Sequence, residues 1–165
     1  MATDKSKLSE NVKQNIPKVG NLKIGIIVSE WNNDITSKLL DGALSVFKEQ
    51  KIPQEDIFVE WVPGSFELPL AAQFMAKYTR VDTVICLGCV IQGETKHFDF
   101  ICDSVSHSIS KVGLDFNIPV IFGVLTTFDM QQAIERAGGK HGNKGTEAAI
   151  TAIKMITLKK KIKEY

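Results

Sequence analysis

Four short runs of apolar, β-prone residues punctuate the chain: LKIGIIVS at 22–29, DIFVEWV at 56–62, TVICLGCVI at 83–91 and PVIFGVLTT at 119–127. Each is apolar on both alternating faces, the pattern of strands in a parallel sheet that is covered on both sides. Helical patterns lie between them. In NDITSKLLDGALSVFKEQ, Ile35, Leu39, Leu40, Ala43, Leu44 and Phe47 recur at helical spacing, with Asn33 or Asp34 as the expected cap. FELPLAAQFMAKY carries Pro69, which a helix tolerates only in its first turn, so that helix is expected to start near Glu67. HFDFICDSVSHSISKVGLDF, DMQQAIERA and KGTEAAITAIKMITLKKKIK supply three more, the last with lysines where the helix dipole favours cations.

Strands alternating with helices imply an α/β domain: a parallel sheet of four strands, covered by helices on both faces and joined by right-handed crossovers. No repeat or linker divides the chain, so residues 1–165 are expected to form a single domain. Ligands of such sheets sit at the carboxyl ends of the strands. That rule selects SEWNND (29–34), VPGSFE (62–67), IQGETKH (91–97) and TTFD (126–129) before any motif is considered.

Each end offers chemistry, and each also has a plainer reading. Trp31, just past a strand among polar residues, could stack on a flat heteroaromatic ligand or simply sit at a surface or interface. VPGSFE is a Pro-Gly turn entering a helix. Its amides could meet hydroxyls or carbonyls, while Glu67 could do no more than favour the positive end of the dipole. In GCVIQGETKHFDF, Gly93 would permit a tight turn, and the amides of Glu94 and Thr95 would lie at a helix N-terminus suited to an anion. His97 follows in the first helical turn, placed either for proton transfer or for local packing. The segment ERAGGKHGNKGTE gathers Arg136, Lys140, His141 and Lys144 among glycines, a composition suited to gripping a phosphate or to a solvated basic turn. Neither a Walker A loop nor a dinucleotide fingerprint is present.

Composition narrows the classes further. A hydrophobic content of 44% with 24% charged residues is ordinary for a globular protein, and a net charge of +1 gives no general attraction to nucleic acid or an acidic membrane. No apolar run reaches the roughly 18 residues of a membrane helix. The polar start MATDKSKLSENVKQ lacks a signal core, so a cytoplasmic location is expected. Three cysteines argue against a disulfide framework. Cys86 and Cys89 form a C-x-x-C inside an expected strand rather than at a helix start, which speaks against a redox pair. Cys102, His97 and His107 lie at spacings that splay around one helix, which speaks against zinc.

The motifs VPGSFELP, GCVIQGETKHFDFI, PVIFGVLTT and ERAGGKHGNKG stand in an order and spacing that resembles the 6,7-dimethyl-8-ribityllumazine synthase family, over roughly residues 12–158. The resemblance implies a three-layer, flavodoxin-like α/β fold. It also implies the penultimate step of riboflavin biosynthesis, with neither cofactor nor metal. In that step 5-amino-6-ribitylaminouracil and 3,4-dihydroxy-2-butanone 4-phosphate condense, releasing phosphate and water. By motif, Trp31, where many relatives have Phe, would stack on the pyrimidine, and Ser65, Phe66 and Glu67 would line the ribityl chain. Cys89, Val90 and Ile91 would also contact the ribitylaminouracil. Gly93, Glu94, Thr95 and Arg136 would hold the butanone phosphate, and His97 would move protons. Phe122 and Lys144 would help bind the uracil from the adjacent subunit. Gln92 stands where many relatives carry a basic residue. Glu147, where some have Asp, would pair with His97 or orient the site. The implied assembly is a homo-oligomer, a pentamer, with the compact turn RAGGKHGNKG favouring a 60-subunit icosahedral shell that is a candidate container for riboflavin synthase. An N-terminal arm, residues 1–20, would add a strand to a neighbour. A non-catalytic flavin carrier and a storage shell are the rival readings; retention of His97 and both phosphate clusters disfavours the carrier.

Overall fold

The computed structural model describes residues 16–17 and 20–165. Most of the expected N-terminal arm lies outside the described residues. The main sheet has four parallel strands in the order β2-β1-β3-β4: β1 (Ile24–Ser29), β2 (Ile57–Val62), β3 (Thr83–Ile91) and β4 (Val120–Thr127). The helices are α1 (Asn33–Glu49), α2 (Leu68–Tyr78), α3 (His97–Phe116), α4 (Met130–Arg136) and α5 (Lys144–Lys163).

Strand alternation divides the core in two. Ile24, Ile26, Val28, Ile85, Leu87 and Cys89 leave one face and pack with Leu39, Phe47, Ile150 and Ile153 of α1 and α5. Ile27, Val84 and Cys86 leave the other and pack with Leu68, Ala72, Val105 and Ile109 of α2 and α3. The sheet is therefore the middle of three layers, which makes the fold three-layer α/β and flavodoxin-like. The same alternation explains the two strand cysteines. Cys86 and Cys89 are three positions apart on β3, so their thiols point into opposite layers and cannot pair.

Several boundaries follow from local chemistry. Pro69 sits in the first turn of α2, after a 3-10 turn at Ser65–Glu67. α3 stops at Asn117, which adopts the left-handed conformation (φ 51°) two residues before Pro119. Two expectations change. The cap of α1 is Asn32 in left-handed geometry, rather than Asn33 or Asp34, and its side chain makes no capping bond because it is used elsewhere. The basic segment after α4 is a small antiparallel hairpin, β5 (Ala137–Gly139) with β6 (Gly142–Asn143), rather than a plain loop. Among the described residues no helix is long and apolar enough to cross a membrane.

Candidate active site

At the carboxyl ends of β1 and β3 the sheet opens into a cleft of about 420 Å³. Four segments converge there. The β1–α1 turn brings Trp31 and Asn32, the turn before α2 brings Gly64, Ser65 and Phe66, the end of β3 brings Cys89, Val90 and Ile91, and the following turn with α3 brings Gly93, Thr95, His97, Phe98 and Ile101. Nine residues expected at a site thus meet in one place: Trp31, Ser65, Phe66, Cys89, Val90, Ile91, Gly93, Thr95 and His97.

The rim is held by backbone and side-chain bonds. Glu30 and Trp31 donate their amides to the carbonyls of Val62 (2.8 Å) and Pro63 (3.2 Å), so the turn after β1 continues the ladder towards β2. On its other side Asn32 donates its side-chain amide to the carbonyl of Cys89 at 2.9 Å. Trp31 stands beyond this pinned turn with 72% of its surface exposed, and Phe66 with 56%. Two large aromatic surfaces that the chain does not bury flank the cleft, as a flat ring system would require.

Ser65 is the opposite case. It is 7% exposed, and its hydroxyl is buried without a hydrogen-bond partner among the described residues. A buried hydroxyl lacking a partner carries a penalty of about 1–3 kcal/mol. It lies over β3, where a side chain on Gly88 would come within 2.7 Å of its oxygen. Its position in the cleft wall leaves it able to bond a polar ligand.

The turn after β3 differs in one respect from the sequence-based expectation. A Cβ at Gly93 would meet nothing within 4 Å, and Gly93 is not among the glycines with positive φ, so the turn itself does not demand glycine. The helix begins at His97, whose amide donates weakly to the Thr95 hydroxyl at 3.4 Å. Glu94, Thr95 and His97 are all exposed at the mouth of the cleft end of the sheet.

Five expected residues lie off this cleft wall. Glu67 is exposed, its carboxylate beside Gly64, and Glu94 is exposed in the turn. Phe122, on the edge strand β4, lines a separate groove with Asp99, Phe100, Cys102, Asp103, Ser106 and Thr126. Arg136 ends α4, its guanidinium donating to the Gln132 carbonyl at 3.0 Å. Lys144 opens α5 and pairs with Glu147 at 2.6 Å, so within this chain Glu147 is engaged by Lys144 and not by His97.

The basic cluster is sorted by its carboxylates. Lys140 pairs with Glu135 at 2.8 Å, His141 lies 3.4 Å from the same carboxylate, and Lys144 is taken by Glu147. Arg136 alone of the four has no carboxylate partner among the described residues. Four residues of the wall were not expected there: Asn32, which lies outside the motifs and is found through its long-range bond to Cys89, and Gly64, Phe98 and Ile101, which lie within the motifs but are found through their place in the wall. Among the described residues no group of three or more His, Cys, Asp or Glu side chains is arranged to hold a metal. Burial pushes the Cys86 and Cys89 thiols up to about 12, so Cys89 is a neutral wall atom at ordinary pH.

Comparison with known proteins identifies the family. Residues 21–160 match the model of the 6,7-dimethyl-8-ribityllumazine synthase family. A protein of that name from Cytophaga hutchinsonii is 59% identical over 141 residues, covering 86% of this chain and 89% of its own length. Its namesakes from Porphyromonas gingivalis (49% over 160 residues, covering 97% and 99%) and Phocaeicola vulgatus (47% over 164 residues, covering 99% and 98%) match almost end to end. The chain belongs to the 6,7-dimethyl-8-ribityllumazine synthase family.

Proposed function

We propose that the chain condenses 5-amino-6-ribitylaminouracil with 3,4-dihydroxy-2-butanone 4-phosphate to 6,7-dimethyl-8-ribityllumazine, and that the cleft at the ends of β1 and β3 is where the pyrimidine binds. The observation that carries the placement is Ser65: a buried hydroxyl without a partner, in a wall flanked by exposed Trp31 and Phe66. In this reading Trp31 stacks on the pyrimidine, Ser65, Phe66 and Glu67 meet the ribityl chain, and Cys89, Val90 and Ile91 form the floor. Gly93, Glu94, Thr95 and Arg136 hold the phosphate, Arg136 because its charge has no carboxylate partner among the described residues.

The pyrimidine's amine attacks the ketone and forms an imine with loss of one water. Phosphate leaves, the enol tautomerises, and the ribitylamino nitrogen closes the second ring with loss of water. Holding two reactants together supplies most of the acceleration. His97, in the first turn of α3 beside Thr95, moves protons between these steps.

Phe122 lies on the edge strand β4, Arg136 ends α4 and Lys144 opens α5 beside α1, and none of the three lines its own chain's cleft. This separation supports a homo-oligomer in which each site joins the cleft of one subunit to these residues of the next. A pentamer, and a 60-subunit shell permitted by the short hairpin after α4, is the assembly we infer, with riboflavin synthase as a candidate occupant. A cytoplasmic location agrees with three unpaired cysteines. Mixing the purified protein with the two substrates and following the product's absorbance tests the reaction; no product above the uncatalysed background would refute it.

A further inference from the structure

The hairpin between α4 and α5 is too small to hold itself. Its strands have three and two residues, pair at Ala137 with Asn143 and Gly139 with Gly142, and carry an irregularity in between. Its shape is set by tethers at its two ends. On the α5 side, Asn143 donates its amide to the Lys38 carbonyl of α1 at 2.8 Å and accepts from the amides of Gly145 and Thr146, which caps α5.

On the α4 side the tether is one residue, Glu135. Its carboxylate takes Lys140 at 2.8 Å through one oxygen and lies 3.4 Å from His141 through the other. Its carbonyl accepts the amide of His141 at 2.9 Å. The hairpin also folds back closely on it: a side chain on Gly139 would come within 2.7 Å of the Glu135 Cα. The carboxylate is only 18% exposed, so these contacts are partly shielded from water.

Arg136 follows Glu135 directly, and Lys144 follows the hairpin. We propose that Glu135 is a positioning residue for the phosphate site: by clamping Lys140 and His141 it fixes the hairpin that carries Arg136 at one end and Lys144 at the other, and it keeps Lys140 away from the bound anion. The proposal rests on the reading of Arg136 as a phosphate ligand. Glu135 itself touches no substrate.

The test is the inhibition constant of inorganic phosphate, the released product, measured with the assembled enzyme for Glu135→Ala, Arg136→Ala and the double variant. Removing the carboxylate of the clamp should weaken phosphate binding by about 3- to 10-fold, less than the tenfold or more that losing a direct charge-assisted bond would cost. If Glu135 works through Arg136, its effect should vanish when Arg136 is already alanine. Lys140→Met cuts the same clamp from an exposed surface position and should shift phosphate in the same direction by a smaller factor. The KM for the pyrimidine should rise less than the phosphate constant in Glu135→Ala and Lys140→Met, because Asn143 separately tethers the end of the hairpin that carries Lys144.

The failures are separable. No loss in Arg136→Ala would sink the phosphate reading itself. A loss in Arg136→Ala with none in Glu135→Ala or Lys140→Met would overturn the clamp alone. An equal loss from Glu135→Ala in both backgrounds would also overturn it, because Glu135 would then act independently of Arg136.

Discussion

Asn32 donates its side-chain amide to the carbonyl of Cys89 at 2.9 Å, tying the turn after β1 to the end of β3. The paired register of β1 with β3 ends at Val28 opposite Leu87, so the side chain extends the ladder past the point where the strands stop. The backbone at Asn32 is left-handed (φ 60°), a conformation that asparagine tolerates and most residues do not. One residue therefore turns the chain and fixes the base from which Trp31 projects.

Replacing Asn32 by Ala should remove the bond, leave the Cys89 carbonyl without a partner and strain the turn. The expected loss of stability is about 1–3 kcal/mol. The pyrimidine KM should rise more than that of the butanone phosphate, because Trp31 loses its fixed base. Asn32→Gly keeps the backbone geometry without the amide and should recover stability better than pyrimidine affinity. Denaturant unfolding with steady-state kinetics on each substrate checks this; equal effects on both substrates would mean that Asn32 serves stability alone.

Arg136→Ala should weaken the butanone phosphate by about 1.5–3 kcal/mol, the worth of a hydrogen bond to a charged group. Among the described residues the arginine bonds the Gln132 carbonyl and pairs with no carboxylate, so its removal strands no carboxylate there and should cost little stability. Isothermal binding of the butanone phosphate measures the loss. An unchanged affinity would remove Arg136 from the phosphate site.

The cleft residues and those off the cleft should complement between chains. Trp31→Ala and Arg136→Ala, each impaired alone, should regain activity when co-expressed. If each site joins two subunits, random mixing gives about a quarter of the sites two intact halves. A mixture no better than the average of its parts would show that each chain builds its whole site. Light scattering on the same samples reports whether the assembly is a pentamer or a shell.

The two strand thiols predict how stability depends on alkaline pH. An unfolded cysteine loses its proton near pH 8.5, whereas Cys86 and Cys89 in the folded chain keep theirs to about 12. Raised folded values mean that the contribution is complete below pH 8.5 and falls away as pH rises towards 12. Each thiol should lower stability by about 1.4 kcal/mol per pH unit in that window. Chemical unfolding at pH 8, 9 and 10 should show a slope that Cys86→Ala reduces by one such increment. An identical slope in the variant would show that Cys86 is not protected in the folded protein.

Much of this was legible in the sequence, for identifiable reasons. β1 and β3 were readable because buried parallel strands are apolar on both faces, the edge strand β2 through its β-prone residues although it is half exposed, and α3 and α5 because their patterns are long. The cap of α1 was not: Asn33 or Asp34 was expected, and Asn32 takes the place because its side chain reaches across to the Cys89 carbonyl, a bond no local pattern shows. The hairpin after α4 was hidden because strands of two or three residues carry no periodicity, and its form depends on Glu135 and Asn143. In the sequence the basic cluster could be a phosphate grip or a solvated turn; placing the carboxylates pairs Lys140, His141 and Lys144 with Glu135 and Glu147 and leaves Arg136 without one among the described residues. Ser65 was named by motif, but its buried hydroxyl could be recognised only from the fold.

His97 gives the last prediction. It opens α3, its amide near the Thr95 hydroxyl, on the wall that also holds Trp31 and Ser65. As a proton shuttle it should matter to the rate and little to binding. A positioned acid–base group is worth on the order of 100- to 10,000-fold. His97→Ala should fall at or below the low end of that range, for two reasons. The amine and ketone condense without an enzyme, and His97 is exposed, so water can carry protons in its place. Affinity for the butanone phosphate should change little if, as proposed, Arg136 and the backbone of the turn after β3 hold it. Single-turnover kinetics at saturating substrates isolates the chemical steps, and titration of each substrate isolates binding. A normal single-turnover rate with a large loss of affinity would make His97 a binding residue and leave the proton transfers to solvent.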